Sequence, residues 1–539
     1  MHDRLRALAP EYDLVVVGGG IAGAGVARDA ALRGLRVALF EKDDFASGTS
    51  SRSSKLVHGG VRYLEHGNLR LVWEACHERQ LLLHAAPHLL RPLPFVFPVF
   101  RDSRFGPGRL RLGMWLYDAM AAFRNVGRHR MLSVSSQARW GEGLRADGLR
   151  GAALYWDAAM DDARLVLANV LAARAAHAVT LNRVAVVRLL LEDGAARGVE
   201  VEDGVSGSRA IVRARVCVLC TGPWTNAFLT QVPGAPAPLG TTRGSHIVVR
   251  RLTERAFTLA AGSDGRVFFV LPWLGATLIG TTDLDDASDP DRVAPAEAEI
   301  EYLLAETNRH FPAAQLRRDD VRSAFAGLRP LLRTSGAASS RSREHALLEP
   351  VPGLVVVAGG KYTTYRAMAS EVVDRIAARL GCRTPCRTAR APLPGGDVPW
   401  GAAEHWAQGP RFRAAARAFA QQYALELDTA THLLDTYGTR GESIAALVAA
   451  DRSLATRLDA RHPQVRAEVV HALRDEMALE LEDWFWRRTP MAFAPDHGAD
   501  AIDTVATLFA AERGWSAVQR DAAAARCRAA LHGAHCGAR

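Results

Sequence analysis

Residues 12–41, YDLVVVGGGIAGAGVARDAALRGLRVALFE, constrain the fold more than any other stretch of this chain. A buried strand at 14–17, a glycine turn, a helix at 21–33 and a second strand at 36–40 closed by an acid form the opening of a dinucleotide-binding unit. Gly18 allows the tight turn, Gly20 lets the backbone approach a pyrophosphate, and Gly23 lets the helix pack close to the sheet. The phosphates then sit at the helix N-terminus, where unpaired N–H groups and the positive end of the dipole favour an anion. Glu41 is placed to accept hydrogen bonds from an adenosine ribose and would repel a 2′-phosphate. A glycine turn alone is weak evidence; the strand, the helix and the acid around it make it specific.

At 539 residues, 48% hydrophobic and 23% charged, the chain has the balance of a globular protein of about two to four domains. Its seven cysteines are scattered and odd in number, and no signal peptide is evident, so reduced thiols and a cytoplasmic setting are expected. Cys217 and Cys220 form a nominal CxxC, but within a strand-like run they point to opposite faces. They read as core residues, and no metal site is expected. The net charge of +9 suggests an anionic partner: a phosphorylated substrate, an acidic membrane surface or nucleic acid. Charged residues interrupt every apolar run before it reaches the roughly eighteen residues of a spanning helix, so any membrane contact is peripheral.

After Glu41 comes KDDFASGTSSRSSKLVHGGVRYLEHGN, rich in hydroxyl residues and glycine, which should lie along the bound dinucleotide. Residues 69–85 have helical spacing. Residues 89–124 read as a proline-broken edge strand and an amphipathic helix, or as a basic, aromatic surface for a membrane interface. A helix is expected at 156–174, a β-meander at 179–219 ending in CTGPW, further strands at 245–250, 266–273 and 277–283, and a helix at 295–311. SAFAGLRP at 323–330 returns toward the sheet, and 333–343 is a basic loop of small residues. A buried strand at 353–358 runs into GGKYTTYRAMA, a second glycine turn opening a helix, whose dipole suits the electron-accepting ring of a flavin. Past Pro392 the composition turns alanine- and arginine-rich and helical.

With one fingerprint and no second GxGxxG, the chain binds one dinucleotide. The N-terminal position of the fingerprint, the hydroxyl-rich loop, the meander ending in CTGPW and the late GGK turn favour FAD over NAD. These stretches, with TSSRSSKLVHGGVRYLEHGN, MDDARLVLAN, RGSHIVV, PWLGATLIGTTD, AGLRPLL and WRRTPMAF, resemble the FAD-dependent, quinone-linked glycerol-3-phosphate dehydrogenases of the glycine-oxidase-like flavoproteins. SSKLVHGGVRYLE is the most specific of them. The resemblance implies an α/β fold with a Rossmann-like FAD domain of the glycine-oxidase/D-amino-acid-oxidase type, a mixed-sheet substrate domain and an all-α C-terminal domain. The expected boundaries are 12–88, 151–240 and 344–391 for FAD, 89–150 and 241–343 for substrate, and 400–539 for the helical domain.

The implied reaction is oxidation of sn-glycerol 3-phosphate to dihydroxyacetone phosphate, which needs a base, cations for the phosphate and donors toward the flavin. His58 and His246 are the two candidates for the base. Arg62, Arg329, Arg343 and Lys361 are the phosphate and oxyanion candidates, with Arg341 an alternative register for Arg343; Tyr63 either bonds substrate or packs. The cofactor is expected against Gly18, Gly20, Gly23, Glu41, Thr49, Ser50, Ser54, Val184, Gly222, Gly359, Gly360, Lys361 and Thr363. Expected partners are glycerol 3-phosphate, membrane quinone and the anionic inner face of the cytoplasmic membrane, with homodimerisation open and no nucleic acid. Two competing readings are an oxidase delivering electrons to oxygen and a flavin-dependent RNA-modifying or RNA-binding protein. The first would carry an inserted segment not seen here. The second would need a recognition module with interleaved aromatics, and the basic residues are dispersed.

Overall fold

A computed structural model describes residues 4–64, 67–333 and 344–535, the side chains of Arg62, Ala534 and His535 excepted. Two sheets carry the first 360 residues. In the first, the strands Leu354–Gly359, Arg209–Leu219, Glu11–Val17, Val37–Phe40 and Val179–Leu181 run parallel in that order, with His345–Leu348 antiparallel at one edge. Both faces are covered, and for that reason the strands read as continuous apolar runs. Leu14 and Val16 face the helices Ile21–Leu32, Asp162–Ala175 and Tyr365–Leu380. Val15 and Val17 face the meander Val184–Glu192, Ala195–Asp203 and Arg209–Leu219. Cys217 and Cys220 pack into these two opposite layers, and burial pushes both thiols up to about 12. They are core residues, as their spacing in a strand requires.

The second sheet is mixed and ten-stranded, with Leu239–Val249 paired to both Ala276–Gly280 and Ser323–Leu332. The helix Glu297–His310 covers one face; Leu69–Ala85 and Pro107–Met120 cover the other. Three expectations give way to this sheet. Residues 156–160 are not the start of a helix, and 151–160 do not belong to the cofactor sheet. The strand Leu149–Met160 pairs along the whole of Leu90–Phe100, and Leu56–Val57 adds to its other side. The chain enters the cofactor unit only at Asp161, whose side chain caps the helix Asp162–Ala175 by accepting from the Arg164 N–H. Leu90–Phe100 is also an interior strand, flanked by Leu149–Met160 and by Ala256–Ala260. Its Pro92, Pro94 and Pro98 fall on alternate positions, so their missing donors share one edge and leave the ladder on the other intact.

From Ala402 onward the chain is helical, packed as two clusters around Leu433 and Trp484. No helix among the described residues is long and apolar enough to cross a membrane.

Candidate functional site

The ends of the parallel strands and the near face of the second sheet enclose a cavity of about 830 Å³. Its floor is the glycine turn. Gly18 has φ +105°, and a β-carbon there would stand 2.6 Å from the Cys220 carbonyl oxygen; one on Gly23 would collide with the Gly18 carbonyl. Ser50 Oγ accepts the Ile21 N–H at 3.0 Å, tying the hydroxyl-rich loop to the helix start. Thr49 Oγ1 donates to the Leu328 carbonyl at 2.6 Å, tying the same loop to the second sheet.

Glu41 accepts the N–H groups of Gly19 at 2.7 Å and Asp43 at 2.9 Å. Burial raises its carboxyl above the usual range, and these two donors counter the shift. Each oxygen accepts one of them and keeps a further lone pair, and Glu41 lines the cavity, as a ribose contact requires. Gly222, Gly359, Gly360, Lys361 and Thr363 line the cavity too. Val184 does not: it is fully buried beneath the wall, its N–H donating to the Glu41 carbonyl, while Ala185 and Val186 face the space.

Across the cavity, His58, Tyr63, His246 and Arg329 come together with Lys361. Lys361 Nζ donates to the His58 carbonyl at 2.7 Å and lies 5.3 Å above the Tyr63 ring. His246 stacks on Phe325 with ring centres 5.0 Å apart, and its Nε2 lies 2.8 Å from Ser54 Oγ. Burial, then the charges of Arg329 and Lys55, hold its imidazole well below the ordinary value, so it is neutral at physiological pH. Arg329 donates to the Thr282 carbonyl, Asp283 Oδ1 and Thr281 Oγ1 at 3.1, 3.0 and 2.7 Å. Gly244 makes room for it: a side chain there would occupy the guanidinium's place. Arg343 and the alternative Arg341 lie outside the described residues, as does the Arg62 side chain.

The structure adds Arg52, Arg104 and Arg266 to the lining, with Asp283 as the partner of Arg329. Sequence gave them no signal beyond Arg52's place in the hydroxyl-rich loop. Among the described residues six cations (Lys42, Arg52, Arg104, Arg266, Arg329 and Lys361) and three acids (Glu41, Asp264 and Asp283) line the cavity, a balance suited to an anionic ligand. Among the described residues no group of three or more metal-ligating side chains converges.

Comparison with known proteins decides which dinucleotide this floor holds. Residues 13–375 match the family described as FAD dependent oxidoreductase, and 386–520 match the C-terminal domain of alpha-glycerophosphate oxidase. A glycerol-3-phosphate dehydrogenase of Synechocystis sp. is 39% identical over 95% of this chain and 94% of its own. Glycerol-3-phosphate dehydrogenase 2 of Mycobacterium tuberculosis is 38% identical over 95% of this chain and 86% of its own.

The chain belongs to the FAD-dependent glycerol-3-phosphate dehydrogenase family.

Among solved structures, the Bacillus halodurans glycerol-3-phosphate dehydrogenase complexed with FAD matches with a TM-score of 0.82 and 29% identity. The match covers 98% of this chain and 96% of that one. As a member of this family the chain is an FAD-dependent oxidoreductase, and the residues present fit the cofactor. The glycine turn and helix start suit the pyrophosphate, Glu41 the ribose, and the Gly359–Gly360–Lys361 turn at the head of the helix Tyr365–Leu380 the flavin.

Proposed function

We propose that the enzyme oxidises sn-glycerol 3-phosphate to dihydroxyacetone phosphate and passes the electrons to membrane quinone. The presence of Arg329, His58 and Lys361 in the lining of one cavity, with Lys361 bonded to the His58 carbonyl, carries this reading. FAD, when bound, accepts the hydride that leaves C2. Arg329 takes the phosphate; its fork is already set by Thr281 and Asp283, so little ordering remains for substrate to impose. His58 receives the hydroxyl proton as the C2–O bond becomes a carbonyl, and Lys361 stabilises the charge that develops beside it. His246, buried, neutral and stacked, fixes the wall through Ser54 rather than exchanging protons. The relatives named above support the substrate, since both are glycerol-3-phosphate dehydrogenases.

The quinone and the membrane surface rest on a different feature. The helix Pro107–Met120 and the turn after it expose Leu112, Trp115, Leu116, Phe123 and Val126, and the helix Leu69–Ala85 exposes Leu69 and Trp73. Arg70, Arg109, Arg111, Arg124 and Arg128 are exposed in the same segments. Asp118, the one acid of the stretch 107–128, is buried against His129. An apolar, aromatic face rimmed by arginines, with the half-buried Glu74 beside Trp73 its nearest acid among the described residues, suits an anionic bilayer, from which a quinone is reached. The test is steady-state turnover with glycerol 3-phosphate, comparing a quinone analogue with oxygen. The reading expects turnover to depend on the quinone analogue; steady oxygen consumption without it would make the enzyme an oxidase.

A further inference from the structure

The helical C-terminal region reaches back to the cofactor floor through one buried carboxylate. Asp44 follows Glu41 by three residues and is completely buried. It accepts from Arg487 Nε at 2.5 Å, from both terminal nitrogens of Arg488 at 2.6 and 2.9 Å, and from Asn182 Nδ2 at 2.8 Å. Both arginines are anchored in their own region. Arg487 also donates to Asp483 at 2.6 Å, and Arg488 to the Glu476 carbonyl at 2.7 Å. The Glu476 carboxylate in turn takes Arg164 of the helix Asp162–Ala175 and Arg440. Burial by itself would raise the Asp44 and Glu476 carboxyls; the arginines outweigh it and hold both well below the usual range.

On its other side the Asp44 segment presses on the phosphate turn. Ala46, at φ +65°, donates its N–H to the Gly19 carbonyl at 3.1 Å. The buried Phe45 ring stands 2.6 Å from where a β-carbon of Gly19 would be. The Gly19 N–H goes to Glu41. The turn that receives the pyrophosphate is therefore backed by a segment whose buried charge is neutralised from the far end of the chain. Without Arg487 and Arg488, Asp44 would keep Asn182 and the more remote charge of Arg183, and lose the two cations bonded to it. A buried carboxylate in that state draws in water or moves, and the segment moves with it.

We propose that Arg487 and Arg488 are positioning residues for FAD: the C-terminal region latches residues 43–46 against the glycine turn and so sets how tightly the cofactor is held. A second contact points the same way. Phe493 packs on Trp273 and on Phe325, the ring beneath His246, so the region also braces the opposite wall of the cavity.

The test is FAD release from the full-length holoenzyme, followed after dilution by the rise in free-flavin fluorescence, with far-UV circular dichroism to monitor the fold. Arg487→Gln leaves the Arg488 pair in place and should release FAD about tenfold faster, or purify folded but depleted of flavin. Arg487→Lys, which keeps the charge, should recover part of the loss. Arg440→Gln removes a comparable buried contact to Glu476 away from the cofactor loop and should release FAD at the wild-type rate. Release from Arg487→Gln within twofold of wild type would overturn the proposal. So would equal acceleration by Arg440→Gln, or an Arg487→Gln protein that fails to fold.

Discussion

Ser54 and His246, 192 residues apart in the chain, meet through a 2.8 Å hydrogen bond between Oγ and Nε2. The bond joins the loop that follows the dinucleotide fingerprint to the sheet that carries the substrate wall, and it is made by an imidazole held neutral. Protonating that ring in the folded state opposes burial and two nearby cations. Because its folded pKa lies below the unfolded one, the unfolded chain takes up the proton first as pH falls. The wild type should therefore lose up to about 1.4 kcal/mol of stability per pH unit from this group below pH ~6.5, and nothing above it. His246→Gln should remove that share of the acid slope in denaturant melts at pH 7, 6 and 5; an unchanged slope would contradict it.

Arg329 should matter chiefly to substrate capture and alignment. Arg329→Met is expected to lower kcat/KM for glycerol 3-phosphate by about 100-fold or more, as expected for removing one partner of a partly desolvated charge pair. Arg329→Lys should recover only part of this, because an ammonium cannot reproduce the fork set by Thr281 and Asp283. FAD content should remain that of the wild type. Equal kcat/KM in the Met variant would remove Arg329 from the phosphate site.

Gly23 gives the clearest steric prediction. Gly23→Ala drives a methyl into the Gly18 carbonyl, within the turn that receives the pyrophosphate. The protein should purify colourless or nearly so, with FAD affinity lowered at least about tenfold. Normal flavin content by absorbance would mean that the turn relaxes without cost.

The exposed apolar face predicts membrane binding that depends on both its components. Leu112→Ser with Trp115→Ser should reduce sedimentation with anionic liposomes at low salt, and raising salt should weaken wild-type binding. Flavin content and turnover with a soluble quinone analogue should be unchanged. Failure of the wild type to sediment at all would remove the membrane surface from the account.

Much of the cofactor half was legible because its constraints are local. A glycine turn, a buried strand and an acid act within 30 residues, and the close approaches at Gly18 and Gly23 and the Glu41 bond to the Gly19 N–H are the local geometry those constraints require. The boundary at 151 was not legible, because Leu149–Met160 is a mostly apolar run whose sheet is decided by a partner strand 49 to 70 residues earlier. Asp283 beside Arg329, and Asp44 beside Arg488, were also hidden: each acid sits in an ordinary turn or loop, and its role arises only when distant arginines arrive. Val184 is buried one step of the strand from Ala185, which lines the cavity, and a period of two does not say which of such neighbours meets a ligand.

Whether glycerol 3-phosphate reduces the bound flavin is read by adding it anaerobically to the purified yellow enzyme and following the flavin band by absorbance. The band should bleach promptly, with one dihydroxyacetone phosphate formed per flavin reduced. A band unchanged by glycerol 3-phosphate, in a protein whose FAD is still reduced by dithionite, would contradict it.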